Sequence, residues 1–290
     1  MLRRLTISGL VTGGLVSGAL ACGAFFDPDA LGDGAGEPDA AEAGAQREAE
    51  PPPLPAEASV AEASVPTGCP TREGPSMVRI DDFCIDSTEV TRGQYARFVN
   101  AVGADAGGPD LPQCASNLSL EPIDPSTERP VPPPESPAFP VRGIDWCDAK
   151  AYCLWAGKNL CGGLGDTTLA AGEVTDPKKS QWAKACSKDG AQRFAYGDSY
   201  VGGRCIDGDR PTSPFNKSCE GGYTGLFDMV GNVEEWIDAC KPPIGPNAGC
   251  ALMGRVPGGD EIASCTTTAA PPANIPWQGA GVRCCAAPLK

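Results

Sequence analysis

Fifteen cysteines, unevenly placed, constrain this chain more than any other feature. Cys22 stands alone near the start, and the other fourteen lie from Cys69 to Cys285. An even number of cysteines can close into disulfides completely, and 37 glycines with 30 prolines indicate a loop-rich protein. No two cysteines are spaced as CxxC, so a zinc ribbon is not expected. We therefore expect an exported domain that is held together by disulfides.

Two short cysteine intervals predict particular bridges. Cys205 and Cys219 flank one loop, and Cys240 and Cys250 flank another, so each pair can close its own loop. The spacing leaves the partners of the remaining cysteines open, because connectivity cannot be deduced from sequence alone.

The absence of histidine and the acidic composition exclude several classes of function. The chain contains no histidine and has a formal net charge of -14. Histidine-dependent hydrolase triads, imidazole zinc sites and histidine-ligated iron are therefore excluded. A chain this acidic is also not expected to bind nucleic acid or an anionic membrane through its charge.

The first 68 residues carry the signs of export. Residues 1–22 contain Arg3 and Arg4, an apolar stretch and the sequence Ala-Leu-Ala-Cys, and they resemble a bacterial lipoprotein signal in which Cys22 is lipidated. The alternative is ordinary cleavage near Ala21, which leaves Cys22 free. Residues 23–68 are rich in alanine, proline and acidic side chains, and we expect a disordered tether. The expected product is a membrane-anchored lipoprotein that faces the periplasm or the cell surface.

Local patterns predict five elements in the folded domain, which we place at residues 69–290. Thr91, followed by Gln94 three residues later, is a fair N-cap for the first helix, and Ser180 caps the third. The predicted strands are residues 77–80 and 83–86, and the predicted helices are residues 88–99, 145–156 and 180–187.

Residues 222–236, GYTGLFDMVGNVEEW, combine apolar side chains with a Gly-Asn turn and three carboxylates. One interpretation is a buried turn with solvated acids beside it. The other is an oxygen-lined site for a hard cation such as calcium, in which Asp228 and Glu235 flank backbone carbonyl groups.

Six blocks in order resemble the formylglycine-generating enzyme family, also called the sulfatase-modifying factor family. They are FCIDSTEVTRGQYARFVNA, FPVRGIDWCDAKAYCLWAGKNL, FAYGDSY, GYTGLFDMVGNVEEW, GRVPGG and GAGVRC, and they cover roughly residues 75–287. The resemblance implies an α+β fold, irregular, disulfide-rich and related to C-type lectins, with two or three helices and small antiparallel sheets. Family enzymes bind copper through a CxxxxC pair, and they oxidise a cysteine of a sulfatase to formylglycine.

The resemblance also implies that this copper pair is missing here. After the turn Gly258-Gly259-Asp260, Cys265 has no second cysteine within reach. By analogy with the family, Cys265 pairs with Cys186, and Cys153 pairs with Cys284. Copper is therefore not expected.

Calcium, by contrast, is an expected structural cofactor. Carried over from the family, its ligands are Asp228, the carbonyls of Gly231 and Val233, and the side chain of Glu235. A second family calcium site is not expected, because Cys205 occupies the position of an asparagine ligand. The carboxylates of Asp207 and Asp209 are interpreted as ordinary loop residues.

Two functions follow from the resemblance and its departures. The first is a non-catalytic binding or structural module for a peptide, glycan or partner protein, by analogy with the fold. The alternative is a formylglycine-generating type of oxidase that modifies a protein cysteine through a rearranged metal site. The polar loops 103–140 and 162–179 are the expected places for partner recognition.

Overall fold

The computed structural model describes residues 68–124, 129–130, 136–205, 216–254 and 263–289. These residues all belong to one compact unit, Ser59–Lys290. The predicted leader, Cys22 and nearly all of the tether lie outside the described residues, as do Asp207, Asp209 and the turn at 256–260. Within the described ranges, no helix combines the length and the apolar character needed to cross a membrane.

The described chain contains three α-helices and ten short strands. The helices are α1 Arg92–Val102, α2 Trp146–Trp155 and α3 Gln181–Ser187. The strands are β1 Met77–Ile80, β2 Phe83–Asp86, β3 Ile123–Asp124, β4 Arg129–Pro130, β5 Asn159–Leu160, β6 Glu234–Cys240, β7 Cys250–Met253, β8 Thr268–Ala269, β9 Ala280–Gly281 and β10 Cys284–Ala286. The α+β class predicted from the sequence is confirmed.

Two four-stranded sheets organise the domain. The first has the order β1-β2-β10-β5 and is antiparallel throughout, whereas β3 and β4 form a separate pair. The second has the order β8-β7-β6-β9. In this sheet β6 and β9 run parallel, with Glu234 opposite Ala280, whereas its other strand pairs are antiparallel as predicted. A parallel pair needs a long connection, and the residues between β6 and β9 supply it.

The helix caps follow the local sequence. Thr91 has extended backbone angles and forms a capping box with Gln94, so α1 begins at Arg92 and not at residue 88 as predicted. Glu89 therefore lies in the loop between β2 and α1. Asp145 and Ser180 cap α2 and α3 through backbone N–H groups three residues ahead, which confirms both predicted starts to within one residue.

Buried tryptophans join α2 to the second sheet. The indole N–H of Trp146 donates to the Ile237 carbonyl at 2.8 Å, and that of Trp236 donates to the Ile144 carbonyl at 3.0 Å. Both side chains are almost completely buried. Because buried indole groups need a partner, these two bonds fix β6 against the start of α2.

Seven disulfides include every cysteine from Cys69 onward. Four of them are the pairs anticipated from spacing or from the resemblance, Cys205–Cys219, Cys240–Cys250, Cys153–Cys284 and Cys186–Cys265. The other three are Cys69–Cys84, Cys114–Cys147 and Cys161–Cys285. Seven disulfides fit a domain that matures in an oxidising compartment outside the cytoplasm.

The last strand lies between two hydrophobic cores. Successive side chains of a strand point to opposite faces, and Cys284 and Cys285 do so in β10. Cys284 belongs to the core around α1 and α2, where it is bonded to Cys153. Cys285 belongs to the core around α3, where it is bonded to Cys161. The two neighbouring cysteines thus link both cores through one short strand.

Candidate functional site

The central loop, residues 228–233, has an unusual backbone. Asp228 and Asn232 have φ of 56° and 60°, and Gly231 has φ of 85°. Left-handed angles at residues other than glycine are uncommon and cost roughly 1 kcal/mol or more. Asp228 is 1% exposed and Glu235, in β6, is also 1% exposed. The interpretation with solvated acids beside a buried turn is therefore wrong, since these two carboxylates are inside the protein.

Glu235 is held by two donors from distant parts of the chain. Arg283 approaches its carboxylate through Nε, at 3.0 Å from Oε1 and 3.1 Å from Oε2, and through a terminal nitrogen at 3.0 Å. The indole N–H of Trp182 donates to Oε2 at 2.6 Å. Arg283 is completely buried, and charge-assisted bonds of this kind are strong. The counter-ion of Glu235 is therefore Arg283.

Two other buried carboxylates have an oxygen without a partner. Asp228 accepts the Asn216 backbone N–H on Oδ2 at 2.9 Å, and Glu89 accepts the Asn232 side-chain amide on Oε1 at 2.8 Å. Among the described residues, Asp228 Oδ1 and Glu89 Oε2 accept no hydrogen bond. Burial, and after it the charge of Asp228, raise the pKa of Glu89 well above its usual range, and burial raises the pKa of Asp228 to about 6.

The predicted calcium ligands are thus only partly placed as expected. Asp228 lies in the central loop and has one oxygen that accepts no hydrogen bond among the described residues, whereas the oxygens of Glu235 already accept bonds from Arg283 and Trp182. No cluster of three or more acidic or cysteine side chains that could hold a metal is present among the described residues. Carboxylate and backbone carbonyl oxygens, the donors present in this loop, are hard donors of the kind that suits calcium.

Sequence analysis missed Glu89 as a neighbour of this loop. It assigned the residue to a helix, where a carboxylate would normally face solvent. The signal was the capping box at Thr91, which makes the helix begin after Glu89 and leaves that residue in the loop before α1, next to buried Val90. The partner Asn232 could not be identified from sequence because it is so distant along the chain.

The cysteines nearest to the two family metal sites are held in disulfides. Cys265, the first cysteine after the turn at 258–260, is bonded to Cys186. Cys205, near the second family calcium site, is bonded to Cys219. The thiolate is the form that ligates copper(I), and a sulfur in a disulfide is not a thiolate. The sequence of residues 255–262 contains no cysteine either.

A polar cavity of about 330 Å³, lined in part by Tyr196 and Arg204, opens on the surface. The guanidinium carbon of Arg204 lies 5.3 Å from the ring centre of Tyr196, which stacks on Phe194 at 5.5 Å. The side-chain oxygen of Gln192, which lines the cavity, is buried and has no partner among the described residues. Glu220 and Tyr223 complete a lining with both donors and acceptors.

Sequence comparisons find similarity to one known family and to several of its members. The model of the sulfatase-modifying factor enzyme 1-like domain matches residues 44–274. The formylglycine-generating enzyme of Bos taurus is 30% identical over 193 residues, which are 55% of this chain and 49% of that enzyme. The inactive Cα-formylglycine-generating enzyme 2 of Bos taurus is 32% identical over 108 residues, 34% of this chain and 32% of that protein. The chain therefore spans about half the length of the first relative and a third of the second.

Among solved structures, PvdO from Pseudomonas aeruginosa is similar with a TM-score of 0.47 and 18% sequence identity. The similarity covers 76% of this chain and 91% of that one. The family model matches well over half of the sequence, and the six blocks recognised in the sequence lie largely within the matched range. The chain belongs to the sulfatase-modifying factor enzyme 1-like domain family.

Proposed function

We propose that this protein is a family member without oxidase chemistry, and that it serves as a binding or structural module of the cell envelope. The observation that carries the proposal is the pairing of all fourteen cysteines from Cys69 to Cys285. Oxidation of a substrate cysteine through copper needs free thiolate ligands, and this pairing leaves none in the folded domain. The similarity to an inactive family member is consistent with the proposal.

A free-thiol count on the unfolded, unreduced protein tests this directly. We expect no alkylation beyond Cys22, and no formylglycine on a peptide that carries a sulfatase motif, with or without added copper. Two reproducibly alkylated cysteines together with formylglycine formation would overturn the proposal and would support the alternative oxidase. A bacterial formylglycine-generating enzyme, assayed in parallel, shows that the peptide is a competent substrate.

Calcium is the cofactor that we propose for the central loop. Asp228 and the carbonyls of Gly231 and Val233 would hold it, while Glu235 fixes the loop through Arg283. Bound calcium would supply positive charge to a buried acidic region and would stabilise the left-handed backbone of the loop. This role is structural, so calcium removal should lower thermal stability.

For ligand recognition we propose the cavity beside Tyr196. Arg204 has no carboxylate partner among the described residues, and its guanidinium lies against the ring of Tyr196 in the lining of the cavity. A polar or acidic group of a peptide, glycan or partner protein can pair with this guanidinium. An Arg204→Gln variant should lose binding on peptide and glycan arrays. Arg193→Gln, which removes an arginine that stacks on Phe194 outside the lining, is the matched control. Equal binding by wild type and Arg204→Gln would refute this location.

For localisation we propose lipidation of Cys22 and a membrane anchor. Metabolic labelling with a radioactive fatty acid should mark the wild-type protein and should not mark a Cys22→Ala variant. Incorporation of label into both proteins, or into neither, would contradict the anchor and would favour ordinary signal cleavage.

A further inference from the structure

Glu89 faces the central loop although it is remote from it in sequence. Its side chain is completely buried, and one of its oxygens accepts a bond from Asn232 within that loop. Glu89 therefore contacts the loop that contains Asp228, and each of the two carboxylates has one oxygen that accepts no hydrogen bond among the described residues. After burial, the charge of Asp228 raises the pKa of Glu89.

The charges around the loop do not balance. Four buried carboxylates interact here, and two of them have a cation of their own. Glu235 is paired with Arg283, and Asp86 with Lys158 at 2.5 Å. Glu89 and Asp228 are the two that remain, so the region has an excess of two negative charges when all four are ionised. Buried carboxylates are rarely left without a counter-ion or a full set of hydrogen bonds.

We propose that Glu89 is a ligand of the same divalent cation as Asp228. This inference rests on the calcium proposed above and changes its ligand set, since Glu89 takes the role first expected for Glu235. One dication compensates the excess of two negative charges. The available donors are all oxygens, which favour calcium over zinc or copper. With the cation bound, the loop before α1 would be joined to the central loop in two ways: by the hydrogen bond from Asn232 to Glu89, and by the shared cation.

Calcium titration of the full-length protein, stripped with EDTA, tests the proposal by calorimetry and by the calcium-induced shift in Tm. Glu89→Gln keeps an acceptor for the Asn232 amide, and Asp228→Asn keeps an acceptor for the Asn216 N–H. Glu121→Gln makes the same charge change at an exposed position and is the control. We expect each of the first two variants to weaken calcium binding by at least about tenfold, and the control to bind like wild type.

The Tm without calcium separates a ligand from a packing residue. Glu89→Gln removes an unpaired buried charge, so its calcium-free Tm should equal or exceed that of wild type. A lower calcium-free Tm with an unchanged calcium shift would overturn the proposal, because Glu89 would then serve packing alone. Wild-type affinity in Glu89→Gln with loss in Asp228→Asn would also overturn it, and would leave calcium at Asp228.

The absence of calcium binding by the wild-type protein would give a different result. If wild type shows neither heat nor a Tm shift up to about 10 mM calcium, well above the dissociation constants of weak extracellular modules, both the calcium site and the role of Glu89 are refuted. The absence of oxidase chemistry is judged separately, by the thiol count and the peptide assay.

Discussion

The two disulfides of β10 should not contribute independently to stability. The free energy lost when one is removed should depend on whether the other is present. Cys153–Cys284 closes 131 residues and Cys161–Cys285 closes 124. In the chain-entropy model, a loop of that length restricts the unfolded state by about 5 kcal/mol. Each bridge is expected to contribute much less than this when the other is present, because both join the same two regions of the chain.

The size of this coupling follows from the length of the covalent loop that still joins two cysteines after their own bridge is removed. With Cys161–Cys285 intact, Cys153 and Cys284 are still joined through a ring of about nine residues, which corresponds to about 2.5 kcal/mol. With both bridges removed, Cys186–Cys265 still shortens the loop to about fifty residues, which corresponds to about 4 kcal/mol. Removing both should therefore cost about 1.5 kcal/mol more than the sum of the separate losses.

Guanidinium unfolding without reductant measures this coupling. The variants are Cys153→Ala with Cys284→Ala, Cys161→Ala with Cys285→Ala, and all four together, so that no free thiol is introduced. Each pair of substitutions also removes side-chain packing and so lowers the free energy of unfolding further. The same packing is lost in the quadruple variant, so this loss cancels when that variant is compared with the sum of the two pairs. If the quadruple variant equals the sum of the two pairs to within about 0.5 kcal/mol, the reasoning is refuted.

Three further predictions concern buried groups. Arg283→Met should destabilise the domain by about 3–5 kcal/mol in urea unfolding, because Glu235 then remains buried without a counter-ion; a loss below about 1 kcal/mol would contradict that. Burial raises the pKa of Asp145 to about 6, so the folded state binds more protons than the unfolded state between about pH 4 and 6. This contribution to the free energy of unfolding should fall by about 1 kcal/mol from pH 5 to pH 7, and Asp145→Asn, which keeps a helix cap, should flatten the profile. Gly222→Ala should cost about 2 kcal/mol or more, since φ is 74° and the new methyl group would collide with a backbone carbonyl of α3. Gly172→Ala, which meets nothing within 4 Å, should change Tm little.

Local signals predicted the elements of this fold well. The capping residues Thr91 and Ser180 act over three residues, and both helices begin immediately after them. The strands predicted at residues 77–80 and 83–86 likewise correspond to β1 and β2. The information for these elements lies within the segment itself, so one sequence suffices to predict them.

Long-range relations could not be obtained in the same way. Nothing near Arg283 indicates that it binds Glu235, or that its backbone precedes a strand inserted between β2 and β5. Without such knowledge, Glu235 was expected to bind a metal and Glu89 was expected in a helix. The candidate site depends on which side chains meet across the two sheets. These side chains are far apart in sequence, so local sequence patterns do not predict their contacts.

The position of β10 between two cores also determines when the disulfides of this domain can be completed. A chain that crosses a membrane N-terminus first delivers Cys153 and Cys161 more than a hundred residues before their partners. Both thiols therefore emerge into an oxidising compartment while several other cysteines are within reach and their own partners are not. Early pairing must then be reversible, and thiol–disulfide exchange has to continue until Cys284 and Cys285 arrive. In a chain that is exported in this way, disulfide isomerisation would accompany export, and the final strand would determine when the pairing is complete.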